Sequence, residues 1–226
     1  MRTVVLLHAV EDLAALRLGA TLAETTVVAV APAGDAAEAL LSRARDDGAA
    51  RTVRLWDESL AATDYLGVAY ALSAMVRTAV GDLAAQPTVI LCGDRGRGAV
   101  GAAVAERLQV PHLSDVIGAQ LVDGRVVARR RAGAVVRLYA ARPPVVLCVS
   151  ATAGALPKPE AAGWTAAAGS TEDWTLEKVG LTPAELSYRK RFRPHPSPGP
   201  NATPRVFADV PSLLERLRSD GLLGSG

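Results

Sequence analysis

Three glycines, Gly96, Gly98 and Gly101, stand at G-x-G-x-x-G spacing between an apolar run ending at Cys92 and a helical pattern beginning at Ala99. A strand, a glycine turn and a helix N-terminus in that order suit an anion. Glycine lets the backbone approach a phosphate closely, and the unpaired amides of the first helical turn point at it. Arg95 and Arg97 could add charge-assisted donors, while Asp94 could accept from a ribose hydroxyl or brace the loop. Read without a ligand, the same glycines make a tight turn in an Ala- and Gly-rich chain.

His8 leaves the first strand toward the mouth where such a ligand would lie, in reach of an adenine or its sugar, although a histidine at a strand end is often merely accommodated. Ala31, ending the second strand, fits a small-residue wall beside a base. No nucleophile and base are placed together: Ser150 has no histidine positioned by the pattern, and Cys92 has no activating neighbour. Cys92 and Cys148 both fall in apolar strand-like runs and read as buried thiols. Two cysteines and the scattered His8, His112 and His195 make no zinc pattern, and no Walker loop is present. The chain therefore reads as a binding protein without catalytic residues of its own.

The elements that must position this loop decide which nucleotide chemistry it serves. Short apolar runs at Thr3–Leu7, Thr26–Val30, Arg51–Trp56 and Thr88–Cys92 alternate with helical patterns at Glu11–Leu22, Ala36–Asp47 and Thr63–Leu83, with Thr63 as N-cap. That alternation predicts a doubly wound, mostly parallel α/β sheet. A fourth helix is expected over Ala99–Gln109. In a dinucleotide-binding dehydrogenase the glycine turn follows the first strand and an acidic residue about 20 positions on holds the ribose. Here the first turn, "HAVEDL", lacks glycine, and the glycine loop follows the fourth strand. An NAD-dependent oxidoreductase is therefore poorly supported. If the strand order is 3-2-1-4-5, strands 1 and 4 are neighbours whose chains leave to opposite faces, and the loop opens on the crevice between them.

Beyond Pro111 the grammar changes. Ile117–Val122 and Arg125–Arg129 flank Asp123-Gly124, a two-residue hairpin signal; Ala134–Ala140 and Val145–Val149 are further strands, expected to extend the sheet at one side as antiparallel strands. Arg129, Arg130 and Arg131 read as charges that discourage edge pairing, with an anion patch as the alternative. From Ala151 the Ala-, Gly- and Pro-rich composition predicts an extended arm, followed by a terminal helix in "DVPSLLERLRSDGLL". The expected organisation is a nucleotide-binding domain over 1–150 and, over 151–226, an arm and helix that dock on a partner.

Half of the 226 residues are apolar and the net charge is +2, so the chain can bury an ample core, and neither nucleic acid nor an anionic membrane is the expected partner. No run of about 18 apolar residues occurs, and "MRTVVLLHAVED" is unlike a signal peptide. A cytoplasmic protein with no direct membrane insertion is expected.

Taken in order, these elements resemble the beta subunit of electron transfer flavoprotein. "GAARTVRLWDESLAATDYLGVAYALSAMV" resembles that family's strand, acidic linker and long helix; "DRGRGAVGAAVAERLQVPHLSDV" resembles its nucleotide loop, helix and L-x-x-P exit. "VDGRVVARRRAGAVVRLYAARPPVVLCVSA" is similar to its hairpin and last sheet strand, and "RVFADVPSLLERLRSDGLL" to its closing helix. The resemblance implies an adenine nucleotide alpha hydrolase-like fold and an electron-carrier subunit that pairs with an FAD-carrying alpha subunit, shares that FAD, and passes electrons from dehydrogenases to a respiratory or other acceptor. It implies AMP, or a second FAD, in the beta-subunit pocket. The matching positions are Leu6, His8, Ala31, Asp94, Arg95, Gly96, Arg97, Gly98, Ala99, Val100 and Gly101. The chain departs from the family in three places. Gly98, Ala99 and Val100 stand where polar side chains are usual; the segment after strand one is short and lacks an N-P-F-x-E helix start; the recognition arm keeps only Leu156-Pro157 and Lys158. Such short forms resemble divergent actinobacterial subunits, including those accompanying mycofactocin-dependent dehydrogenases. A stand-alone adenine-nucleotide sensor or scaffold of similar fold is the alternative.

Overall fold

A computed structural model describes residues 1–7, 12–93, 99–150, 170–186, 207 and 209–222. Four strands, β1 (Arg2–Leu7), β2 (Thr25–Val30), β3 (Arg51–Leu55) and β4 (Thr88–Gly93), alternate with helices α1 (Leu13–Leu22), α2 (Asp35–Asp46) and α3 (Tyr65–Val80), and α4 (Ala99–Leu108) follows. Then come β5 (His112–Val122), β6 (Arg125–Ala132), β7 (Val135–Ala141), β8 (Val145–Val149) and the short β9 (Glu172–Trp174). These strands form one sheet in the order β7-β6-β5-β8-β4-β1-β2-β3-β9.

The central strands are apolar on both faces because both faces are covered. In β1, Val4 and Leu6 pack with Leu72, Met75 and Val76 of α3 and with Val104 of α4, whereas Val5 and Leu7 pack with Leu13, Leu16 and Leu41 of α1 and α2. The sheet is thus doubly wound, α1 and α2 on one face, α3 and α4 on the other.

The expected neighbours β1 and β4 do pair, in parallel, with Leu6 opposite Cys92. The order beyond β4 differs from 3-2-1-4-5, because β8 inserts between β4 and β5 and runs parallel to both. Every residue of β8 is buried, which only a central strand can satisfy. β5 begins beside β8, shifts register between Leu113 and Val116, and continues outward to pair antiparallel with β6. The hairpin turn lies at Asp123 and Gly124, with φ 49° and 70°, the left-handed pair that a type I′ turn requires.

α3 starts one residue later than expected. Its N-cap is Asp64, whose carboxylate accepts from the amides of Leu66 (2.9 Å) and Gly67 (3.1 Å). Thr63 instead donates to the carbonyl of Leu186 at 2.6 Å. The helix stops at Val80 and not Leu83, where Gly81 takes φ 81°.

The sheet domain does not close at residue 150. Residues 170–186 add β9 parallel to β3, and Trp174, Leu176, Val179, Leu181 and Leu186 are buried in the α3–α4 core. Arg51 and Arg54 each form a paired, fork-like contact, to Glu172 (2.7 and 2.8 Å) and Asp173 (2.7 and 2.9 Å), which fixes the register of the edge. The first compact unit spans Met1–Lys190 and a second spans Arg191–Gly226. In the second, α5 (Val210–Ser219) is capped by Asp209 on the Ser212 amide, and Gly221 follows it at φ 70°.

Candidate nucleotide crevice

The carboxyl ends of β1 and β4 lie side by side, and the elements that follow them part. α1 packs on one face through Leu13, Ala15 and Leu16, and α4 on the other through Val104, Ala105 and Leu108. Such a switch point leaves a crevice outside the strand ends where ligands of open α/β sheets bind.

Gly101 explains how closely α4 can lie on the sheet. A Cβ there would fall against the sulfurs of Cys148 and Cys92, on the neighbouring strands β8 and β4. The third glycine of the G-x-G-x-x-G spacing is therefore a packing residue that lets the helix approach the sheet. A close helix brings its first amides, at Ala99 and Val100, to the level of the β4 end. Both residues are half-buried, and Val100 packs on the core edge.

On the opposite side of the mouth stands a residue that the glycine pattern does not signal. Asp12, just before α1, is 3% exposed, and its carboxylate occupies the place where a Cβ of Gly93 would be. The end of β4 and the start of α1 are thus interlocked through one acid and one glycine. Asp12 belongs to the first turn, "HAVEDL", and only the adjacency of β1 and β4 brings it to Gly93.

Of the other expected residues, Leu6 is buried in the α3–α4 core and lies within the sheet between Val28 and Cys92. Ala31 lies just past β2, half-buried, its amide donating to the Leu55 carbonyl at 3.3 Å. His8, Asp94, Arg95, Gly96, Arg97 and Gly98 lie outside the described residues. Among the described residues no group of three His, Cys, Asp or Glu side chains could hold a metal, and no helix is long and apolar enough to cross a membrane. A cavity of about 500 Å³ between α3, α4 and residues 179–181 is lined by Arg77 and Arg107, at the other ends of those helices, and is not part of the crevice.

Residues 6–178 match the electron transfer flavoprotein domain. The chain belongs to that family. Its match begins inside β1, runs through the parallel sheet and the β5–β7 ribbon, and ends four residues past β9, so the electron transfer flavoprotein domain includes the edge strand that lies beyond residue 150. No curated protein matches the chain. The family is one of flavin-associated electron carriers, and the doubly wound sheet is the architecture its domain takes here.

Proposed function

We propose that this electron transfer flavoprotein domain is a beta-type subunit. It pairs in the cytoplasm with an FAD-carrying alpha subunit and helps pass electrons from dehydrogenases to a respiratory or other acceptor. Its own crevice holds an adenine nucleotide, AMP or a second FAD. The observation that carries this reading is the switch point between β1 and β4, with α4 drawn onto the sheet at Gly101.

The residues present fit an adenylate. Ala31 and Ala99 are small and only half-buried, leaving open surface beside the ends of β2 and β4 for a base and a sugar. Asp12, buried against Gly93, fixes the α1 side of the mouth, and the amides that open α4 on the other side favour a phosphate there. Gly96 and Gly98, preceding those amides, give the backbone freedom to close on the phosphate, and Arg95 and Arg97 supply positive charge. A flavin, when bound, supplies the redox chemistry. This chain's residues bind the nucleotide and brace the flavin-bearing companion.

Co-expression with an alpha subunit tests the assignment. A yellow heterodimer is expected on gel filtration; a chain that elutes alone, colourless and nucleotide-loaded would instead support the stand-alone sensor.

A further inference from the structure

The cavity between α3, α4 and residues 179–181 is one-sided in charge. Arg77 and Arg107 line it with Tyr70, Ser73 and Thr78, and no Asp or Glu does. Among the described residues neither guanidinium has a carboxylate partner. Arg77 Nη2 donates to the Arg107 carbonyl at 2.7 Å, which ties the last turns of α3 and α4 and leaves its other N–H donors unused. The Arg107 guanidinium stands over the Tyr70 ring, its central carbon 3.7 Å from the centroid. Stacking fixes where that charge lies without neutralising it.

The wall behind Arg107 is built. The Tyr70 hydroxyl donates to Glu185 Oε1 at 2.8 Å, and Glu185 Oε2 accepts from the amide and hydroxyl of Thr182 at 2.8 and 2.9 Å. The carboxylate of this stretch is thus engaged with Tyr70 and Thr182 and does not line the cavity. Val179 and Leu181, each 8% exposed, supply an apolar floor beside Ala74. At about 500 Å³ the space falls within the ~300–1,000 Å³ of small-molecule sites, more than a bare inorganic anion fills.

A cation near a helix C-terminus also offsets the helix dipole, and Arg77 does so for α4 through its bond to the Arg107 carbonyl. Arg107 makes no such bond: its guanidinium is held on Tyr70, in the second turn of α3. Its charge is left for something that enters the cavity.

We propose that this cavity binds a phosphorylated small molecule, its phosphate between Arg77 and Arg107 and its body against Ala74, Val179 and Leu181. Donors that arrive from two helices suit the tetrahedral oxygens of a phosphate, whereas a planar carboxylate pairs with a single guanidinium fork. The site is separate from the crevice and stands whether or not the crevice holds a nucleotide.

The full chain is followed by nuclear magnetic resonance while inorganic phosphate, phenyl phosphate or acetate is added at constant ionic strength. The signals read are the Gly180 amide and the Nε–H groups of Arg77 and Arg107. Both phosphates are expected to shift them saturably, phenyl phosphate at the lower concentration, and acetate to leave them in place. Arg107→Gln and Thr78→Glu should each weaken phenyl phosphate binding by about tenfold or more. The first removes a charged donor, and the second sets a carboxylate on the exposed part of the lining. Circular dichroism melting checks folding; because Thr78 is exposed, Thr78→Glu decides the matter if Arg107→Gln does not fold. Absence of saturable shifts here, an acetate effect equal to that of phosphate, or undiminished affinity in Thr78→Glu overturns the site. Equal affinity for the two phosphates overturns the organic body of the ligand. None of these results bears on pairing with an alpha subunit, so the beta-type reading stands or falls separately.

Discussion

Cys92 and Cys148 face each other across β4 and β8 with their sulfurs 3.3 Å apart, under the helix turn that carries Gly101. The two thiols fill the space that a side chain at position 101 would need. Gly101→Ala should therefore cost about 1–3 kcal/mol through overpacking, read as a lower denaturant midpoint. In a Cys92→Ala, Cys148→Ala background the same change meets open space, and the helix propensity gained, about 1 kcal/mol, should make it neutral or stabilising. An equal cost in both backgrounds would show that the thiols are not the obstacle.

Asp64 and Thr63 separate capping from tethering. Asp64→Ala removes the side-chain acceptor for two α3 amides and should cost about 1 kcal/mol. Thr63→Ala removes the bond to Leu186 and should loosen residues 183–186, leaving the α3 end intact. Hydrogen exchange distinguishes them: faster first-turn α3 amides in the first variant, faster 183–186 amides in the second.

Glu172 gives the β3–β9 edge a pH dependence. Its carboxyl is held at about 2, below the ordinary 4.5, first by the bond from Arg51 and further by the Trp174 indole. A depressed folded-state value means the contribution is complete above pH 4.5, declines as the pH falls, and is gone below about 2. The pair is exposed, so screening limits it to about 0.5–1 kcal/mol. Glu172→Gln should be less stable than wild type at neutral pH by that amount, with the difference vanishing toward pH 2 and shrinking in high salt.

Gly98→Leu tests the loop. If the backbone at Gly98 closes on the phosphate, a bulky side chain there reduces the nucleotide retained through purification. Retention equal to wild type would remove Gly98 from the site.

Strands β1 to β4 were legible because each is a short β-branched run bounded by a helical pattern. β8 was legible as a strand and not as a central one: following a hairpin, it invites an antiparallel placement, although five consecutive apolar residues already indicate burial on both faces. Residues 170–186 were obscured by the Ala, Gly and Pro composition just before them. Their core contribution rests on well-spaced large residues, from Trp174 to Leu186, that composition does not weigh. The glycine spacing announced a strand-to-helix turn, yet only the packed structure shows that Gly101 serves the sheet. Asp12 against Gly93 required knowing that β1 and β4 adjoin, a fact of topology and not of local sequence.

Native mass spectrometry of the chain co-expressed with an alpha subunit tests the central claim most directly. The account predicts one species containing this 23.4 kDa chain, the alpha subunit, FAD and one further adenine nucleotide. The bare chain alone, with neither companion nor nucleotide, would contradict it.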